Sequence, residues 1–146
     1  MSTERNDKKT KFEASIERYR KELEKDSHID ITQLENEMVR VTSLQSKWIN
    51  YYAIYDASRV ETNRNLKIAK GNALMRMIKG SDGFAMTKSE ANKLQNYDQV
   101  VIELEEKLEK IELCLRIFSE AQQVIRSKSF ALGNILKLRE FEAGLL

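Results

Sequence analysis

The chain has 146 residues with a formal net charge of +2, so no global field draws it to nucleic acid or to acidic lipid. It has no proline, only five glycines and 33% charged residues, which is the profile of long helices and coiled coils. One cysteine, Cys114, excludes an internal disulfide framework and suits a reducing cytoplasm. The absence of an apolar run of about eighteen residues, and of a hydrophobic core in the first residues, gives the expectation of neither a membrane span nor a secretion signal.

Residues 1–11 are polar, mixed in charge and aperiodic, and are expected to form a disordered N-terminal extension. Residues 12–79 read as an N-terminal helical region. Phe12, Ile16, Tyr19 and Leu23 recur at helical spacing and define a first helix. The pattern lapses from Asp26 to Asp30. A new start signal follows, with Asp30 or Thr32 as N-cap and Thr32 and Glu35 spaced as a capping box. The second helix carries Leu34, Met38, Val41, Leu44, Trp48, Tyr52 and Tyr55 on one side, turns almost wholly polar from Asp56 to Asn65, and resumes an apolar face at Leu66, Ile68, Leu74, Met77 and Ile78. Gly80 is a natural C-terminal cap, and residues 80–87 form a glycine turn. Thr87 and Glu90 are spaced as a second capping box. They open a long C-terminal helix, residues 88–146, expected to drive oligomerisation, with a kink or short break at Ser127–Ser129 left open.

Within that helix Leu94, Tyr97, Val101, Leu104, Leu108, Ile111, Leu115 and Phe118 are spaced alternately by three and four residues. A 3.5-residue repeat held that long is a supercoiling seam, because each apolar position returns to the same side of an under-wound helix. The fold class is therefore all-α, with elongated helices and a coiled-coil-like seam. Helices of some fifty residues are about 75 Å long, against a radius of gyration of roughly 15 Å for a globule of this length. Such helices need partners along their length, and identical copies are the nearest supply. Past Phe118 the repeat loosens, and Phe130, Leu132, Ile135, Leu136, Leu138 and Phe141 restore an apolar face that joins the oligomerisation surface.

Catalysis finds little support. His28 is the only histidine and lies in a linker, and Gly80 and Gly83 lack the lysine and hydroxyl of a phosphate loop. One His and one Cys far apart in sequence make no metal cluster, so no cofactor is expected. Charge distribution says more. Residues 59–93 hold eight basic groups against three acidic ones, whereas residues 94–113 hold six acidic against two basic. Arg59, Arg64, Lys67 and Lys70 fall within an arc of about 140° on the second helix, a face that phosphates could track, and Arg76 and Lys79 extend the basic segment. Upstream lie Trp48, Tyr51, Tyr52 and Tyr55, aromatics of the kind that stack on unpaired bases. Trp48, Tyr52 and Tyr55 share the apolar stripe, which favours a core role for them, while Tyr51 flanks it and is the stacking candidate. Two function classes follow. One is an oligomeric binder of single-stranded DNA; the other is a structural or scaffolding coiled-coil protein whose basic segment holds an acidic protein partner.

The run Ile125-Arg126-Ser127-Lys128, Phe130-Ala131, Ile135, Arg139 and Phe141-Glu142-Ala143-Gly144 resembles the end of the bacteriophage recombination mediator family UvsY. Ile29-Asp30, Thr32, Leu34, Ser46-Lys47-Trp48, Asn50, the glycine turn Gly80 to Gly83 and Lys88-Ser89-Glu90 match in the same order, so the resemblance covers residues 16–144. It implies an all-helical, ring-like homo-oligomer of six or seven chains that binds single-stranded DNA, acting in the cytoplasm of an infected bacterial host. It further implies that the protein helps a RecA-like phage recombinase displace the phage single-strand-binding protein, with oligomerisation through the C-terminal part. The family's Lys-x-Arg pair and paired tyrosines before the glycine turn are replaced here by Asn72-Ala73-Leu74 and Met77-Ile78.

Overall fold

The computed structural model describes residues 2–80 and 83–144. Met1, Ser81, Asp82, Leu145 and Leu146, which fall in the expected N-terminal extension, glycine turn and C-terminal end, lie outside the described residues. Four α-helices, α1 (Ser2–Ser27), α2 (Leu34–Lys79), α3 (Lys88–Leu94) and α4 (Gln99–Glu142), are joined by two short 3-10 turns, Ile31–Gln33 and Gln95–Tyr97. No strand occurs among the described residues, so the fold is all-α. No helix among them is long and apolar enough to cross a membrane.

The chain forms two compact units. One takes residues up to Ile54 and those from Cys114 onward; the other is Tyr55–Leu113. In the first, Tyr19 of α1, Trp48 and Tyr51 of α2 and Phe118 of α4 form an aromatic cluster, with Tyr19 and Phe118 edge-to-face at 4.9 Å between ring centres and Tyr51 and Phe118 at 5.4 Å. Ile16, Leu44, Ile117, Ala121, Ile125 and Leu132 are buried with them. The helical stripes read from the sequence thus close on one another within the chain. Cys114 is buried here, and burial raises its thiol pKa above the ordinary value.

Two helix starts follow their capping chemistry. The Asp30 carboxylate accepts from Thr32 N–H at 3.0 Å and Thr32 hydroxyl at 2.6 Å, so Asp30, rather than Thr32, is the cap that starts the segment. Those hydrogen bonds hold its pKa below the ordinary carboxylate value. At α3 the capping box of Thr87 and Glu90 is complete in both directions.

In the unit Tyr55–Leu113, Leu66 and Ala69 of α2 bury against Val101 of α4, with Leu104 and Leu108 packed on them. Thr62, Ala73 and Ala91 are fully buried. Gly80 ends α2 with φ +73°, a left-handed conformation that costs a side-chain-bearing residue free energy. A Cβ there would also meet the Ala85 backbone nitrogen at 2.9 Å. Met86 N–H then bonds back to the Met77 carbonyl at 3.0 Å, which turns the chain toward α3.

Three expectations are corrected. Residues 2–11 continue α1 as exposed helix instead of being disordered. Glu4 with Lys8 and Asp7 with Lys11 stand at the favourable i,i+4 spacing, and extending a nucleated helix is cheap. The C-terminal helix does not run unbroken from Lys88, because Gln95–Tyr97 form a 3-10 turn and Asp98 is extended at ψ 134°. The Asp98 carboxylate accepts from Val101 N–H at 3.3 Å and its carbonyl from Ile102 N–H at 2.9 Å, which starts α4 as an N-cap does. Finally, the heptad seam is not one continuous stripe facing outward. Leu94 and Tyr97 precede α4 and are 40% and 76% exposed, whereas Val101, Ile111, Leu115 and Phe118 are buried within the chain. Through Ser127–Ser129, helix α4 is continuous.

Candidate nucleic-acid interface

The basic residues of α2 sit around the stripe it buries. On a helix stepping 100° per residue, Leu66, Ala69 and Ala73 span about 60°, and Lys70 and Arg76 flank them on either side. Both flanking cations reach α4. Lys70 Nζ lies 3.4 Å from Glu105 Oε1, and Arg76 Nη2 donates to Asp98 Oδ1 at 2.6 Å. Arg59 pairs with Asp56 one turn away at 2.8 Å. Exposed ion pairs of this kind are worth about 0–1 kcal/mol each, so a phosphate can compete for the cation at small cost.

Arg64, Lys67 and Lys79 are exposed and hold no carboxylate at ion-pair distance among the described residues. Arg64 and Lys67 lie three residues apart and face away from the buried stripe, so on the arc from Arg59 to Lys70 they are the cations that no carboxylate among the described residues holds. Arg76 and Lys79 are not on that arc. They line a separate open cleft of 560 Å³ with Asn72, Met75, Asp98 and Val100, centred about 150° around the helix from the arc. The six basic candidates therefore divide into two groups on different faces of α2. Sequence reasoning missed the cleft, and the signal for it was Asp98, an N-cap residue that read as one more solvated charge.

Tyr51 is not placed as a free stacking platform. Its ring packs edge-on against Tyr19 at 5.5 Å and Trp48 at 5.4 Å, and its hydroxyl donates to Glu22 at 3.0 Å. Burial, helped by Glu22, raises its pKa. Trp48 is fully buried, as its stripe position indicated, and its indole N–H donates to Asp26 at 3.1 Å. Lys47 bridges Glu22, at 2.8 Å, and Asp26. Burial pulls its pKa down, but the bonds to the two carboxylates outweigh that and leave it raised.

Of the oligomerisation candidates, Leu104 and Leu108 are half-buried and Val101, Ile111, Leu115, Phe118 and Leu132 buried by this chain's own packing. Phe141, 69% exposed, shares an open face with Phe130 at 70% and Leu138 at 57%. These three fall within an arc of about 80° on α4. A second polar centre, absent from the sequence reading, surrounds Lys128. Its buried ammonium donates to the carbonyls of Asp26 and His28 at 2.9 and 2.8 Å, and Glu37 Oε2, 2.6 Å away, balances its charge without accepting a well-aligned hydrogen bond. No cluster able to hold a metal ion occurs among the described residues.

A family model described as recombination, repair and ssDNA binding protein UvsY matches residues 22–145. Recombination protein uvsY of Enterobacteria phage T4 is 31% identical over 134 residues, covering 88% of this chain and 98% of the relative. Two crystal forms of the bacteriophage T4 recombination mediator protein UvsY superpose with a TM-score of 0.75 each. They are 28% and 30% identical, and each match covers 87% of this chain and 98% or 96% of the other.

Proposed function

Because the chain belongs to the UvsY family, we propose that it is a non-enzymatic recombination mediator that binds single-stranded DNA as a homo-oligomer. It hands that DNA to a RecA-like phage recombinase while the phage single-strand-binding protein is displaced, in the cytoplasm of an infected bacterium. The match across nearly the whole of a curated relative named as a recombination protein carries this reading. The chemistry of α2 supports it, since Arg64 and Lys67 are exposed cations with nothing to neutralise them among the described residues. Two or three phosphate contacts per chain bind weakly alone. Repeated around an oligomer of six or seven copies, they raise the effective concentration of each next contact and give an avid surface.

Self-association uses the open face of Phe130, Leu138 and Phe141, because the residues of the heptad seam that α4 carries are already occupied within the chain. Fluorescence anisotropy of a labelled oligonucleotide at low and moderate salt tests the DNA reading. Binding should weaken as salt rises, and the double charge reversal Arg64→Glu with Lys67→Glu should lower both the affinity and the salt slope, by about 0.7 per lost contact. Absence of salt-sensitive binding by the wild-type chain would leave a scaffold for an acidic protein partner as the better reading.

A further inference from the structure

The cleft beside Arg76 combines features that a single nucleotide unit requires. Lys79 contributes an exposed ammonium and Arg76 a guanidinium that keeps donors beyond the one given to Asp98. Met75 and Val100, 49% and 52% exposed, supply an apolar wall against which a sugar or base face can lie. The volume of 560 Å³ is in the range of small-ligand sites. Among the described residues, Asp98 is the one anionic group lining it.

We propose that this cleft is a nucleotide subsite for single-stranded DNA, in which Asp98 occupies Arg76 in the free chain and a backbone phosphate takes its place on binding. The inference rests on the DNA-binding reading and adds to it a second site and a resident competitor. Exchange is feasible on both sides of the pair. The Arg76 side chain is 45% exposed and that of Asp98 15%, so solvent reaches the pair from the cation's side, where an incoming phosphate would approach. Asp98 is not stranded when Arg76 leaves, because its other carboxylate oxygen accepts from Val101 N–H at 3.3 Å. The consequence is a deliberate weakening: each chain releases DNA more readily than its count of cations would allow, which suits a protein that passes its strand on.

Asp98→Asn isolates the effect, since asparagine caps a helix about as well as aspartate. Any lost negative charge strengthens DNA binding somewhat, so Glu109→Gln, an exposed carboxylate on the same helix, serves as the reference. With a labelled thymidine oligonucleotide, Asp98→Asn should bind about two- to fivefold tighter than Glu109→Gln, the worth of one exposed ion pair. Its salt slope should steepen by about 0.7, because in the wild type the cation released from the phosphate is offset by one taken up by the freed Asp98 carboxylate, and asparagine takes up none. In an Arg76→Gln background the extra gain should vanish. Lys79→Gln, which leaves the Arg76 and Asp98 pair in place, should reduce the salt slope by about 0.7. If Asp98→Asn only matches Glu109→Gln, or its gain persists without Arg76, the competitor is overturned while the DNA-binding reading stands. An unchanged slope in Lys79→Gln overturns the cleft as a phosphate site. A wild-type chain that binds no oligonucleotide overturns both readings.

Discussion

The Lys128 ammonium donates to the backbone carbonyl of Asp26, 102 residues away in sequence, at 2.9 Å in a buried setting. That bond fastens α4 to the end of α1, and the Glu37 carboxylate balances the charge from α2. Three helices of the first unit therefore meet on one side chain. Lys128→Met removes the cation and leaves Glu37 without its counter-charge and the carbonyls of Asp26 and His28 without their donor. It should destabilise the chain by about 3–5 kcal/mol, read as a lowered urea midpoint. Adding Glu37→Met should restore part of the loss; a single variant as stable as the wild type would refute the role.

Phe130→Asp combined with Phe141→Asp should dissociate the oligomer in analytical ultracentrifugation while the helical circular dichroism is retained, because both side chains are open to solvent. Ile111→Asp should instead collapse helicity, since a lone carboxylate would be placed in a buried position. If the Phe130 and Phe141 variant stays fully assembled, another surface holds the copies together.

Stability should fall in alkali. Tyr51, Lys47 and Cys114 all have raised pKa values in the folded chain. A raised value means that the unfolded chain loses its proton first, so the stabilisation is fully present below about pH 8.5, the unfolded thiol value, and is lost as pH climbs through the folded values. Tyr51→Phe should remove one of the three contributions and flatten the decline between pH 9 and pH 11, at a cost of about 1 kcal/mol at neutral pH for the bond to Glu22. Urea midpoints across that range check it, and an equally steep decline in Tyr51→Phe would show that Tyr51 does not contribute.

Local signals were legible in the sequence, while the identity of their partners was not. Asp30, the Thr87 and Glu90 box and Gly80 each act through backbone groups a few residues away, so residue type and spacing sufficed to find those helix ends. The heptad from Leu94 to Phe118 was equally plain as a pattern, but periodicity reports only that an apolar side will be covered. Here α2 covers Val101 and the aromatic cluster covers Phe118, work that had been reserved for other copies. The same pattern hid the break at Asp98, because Leu94 and Tyr97 keep the spacing on the far side of it. The role of Lys128 is not legible in the sequence, and Tyr51 reads there as a stacking candidate, for a related reason. A lysine reads as solvated and a flanking tyrosine as available, and only the carbonyls of Asp26 and His28 or the carboxylate of Glu22, distant in sequence, show otherwise. The basic segment was recognised as basic, yet its division into the Arg64 and Lys67 face and the Arg76 and Lys79 cleft depends on where α4 lies against α2 within the unit Tyr55–Leu113.

Cys114 has a practical consequence for any experiment that follows the chain by an attached dye. The thiolate is the reactive form, and this thiol is buried with its ionisation suppressed. Maleimide chemistry under native conditions should therefore pass it by, and a cysteine introduced at an exposed position outside the proposed contacts, such as Ser119, should take the label alone. A fluorophore can then be attached without first replacing the native cysteine and disturbing the core around it.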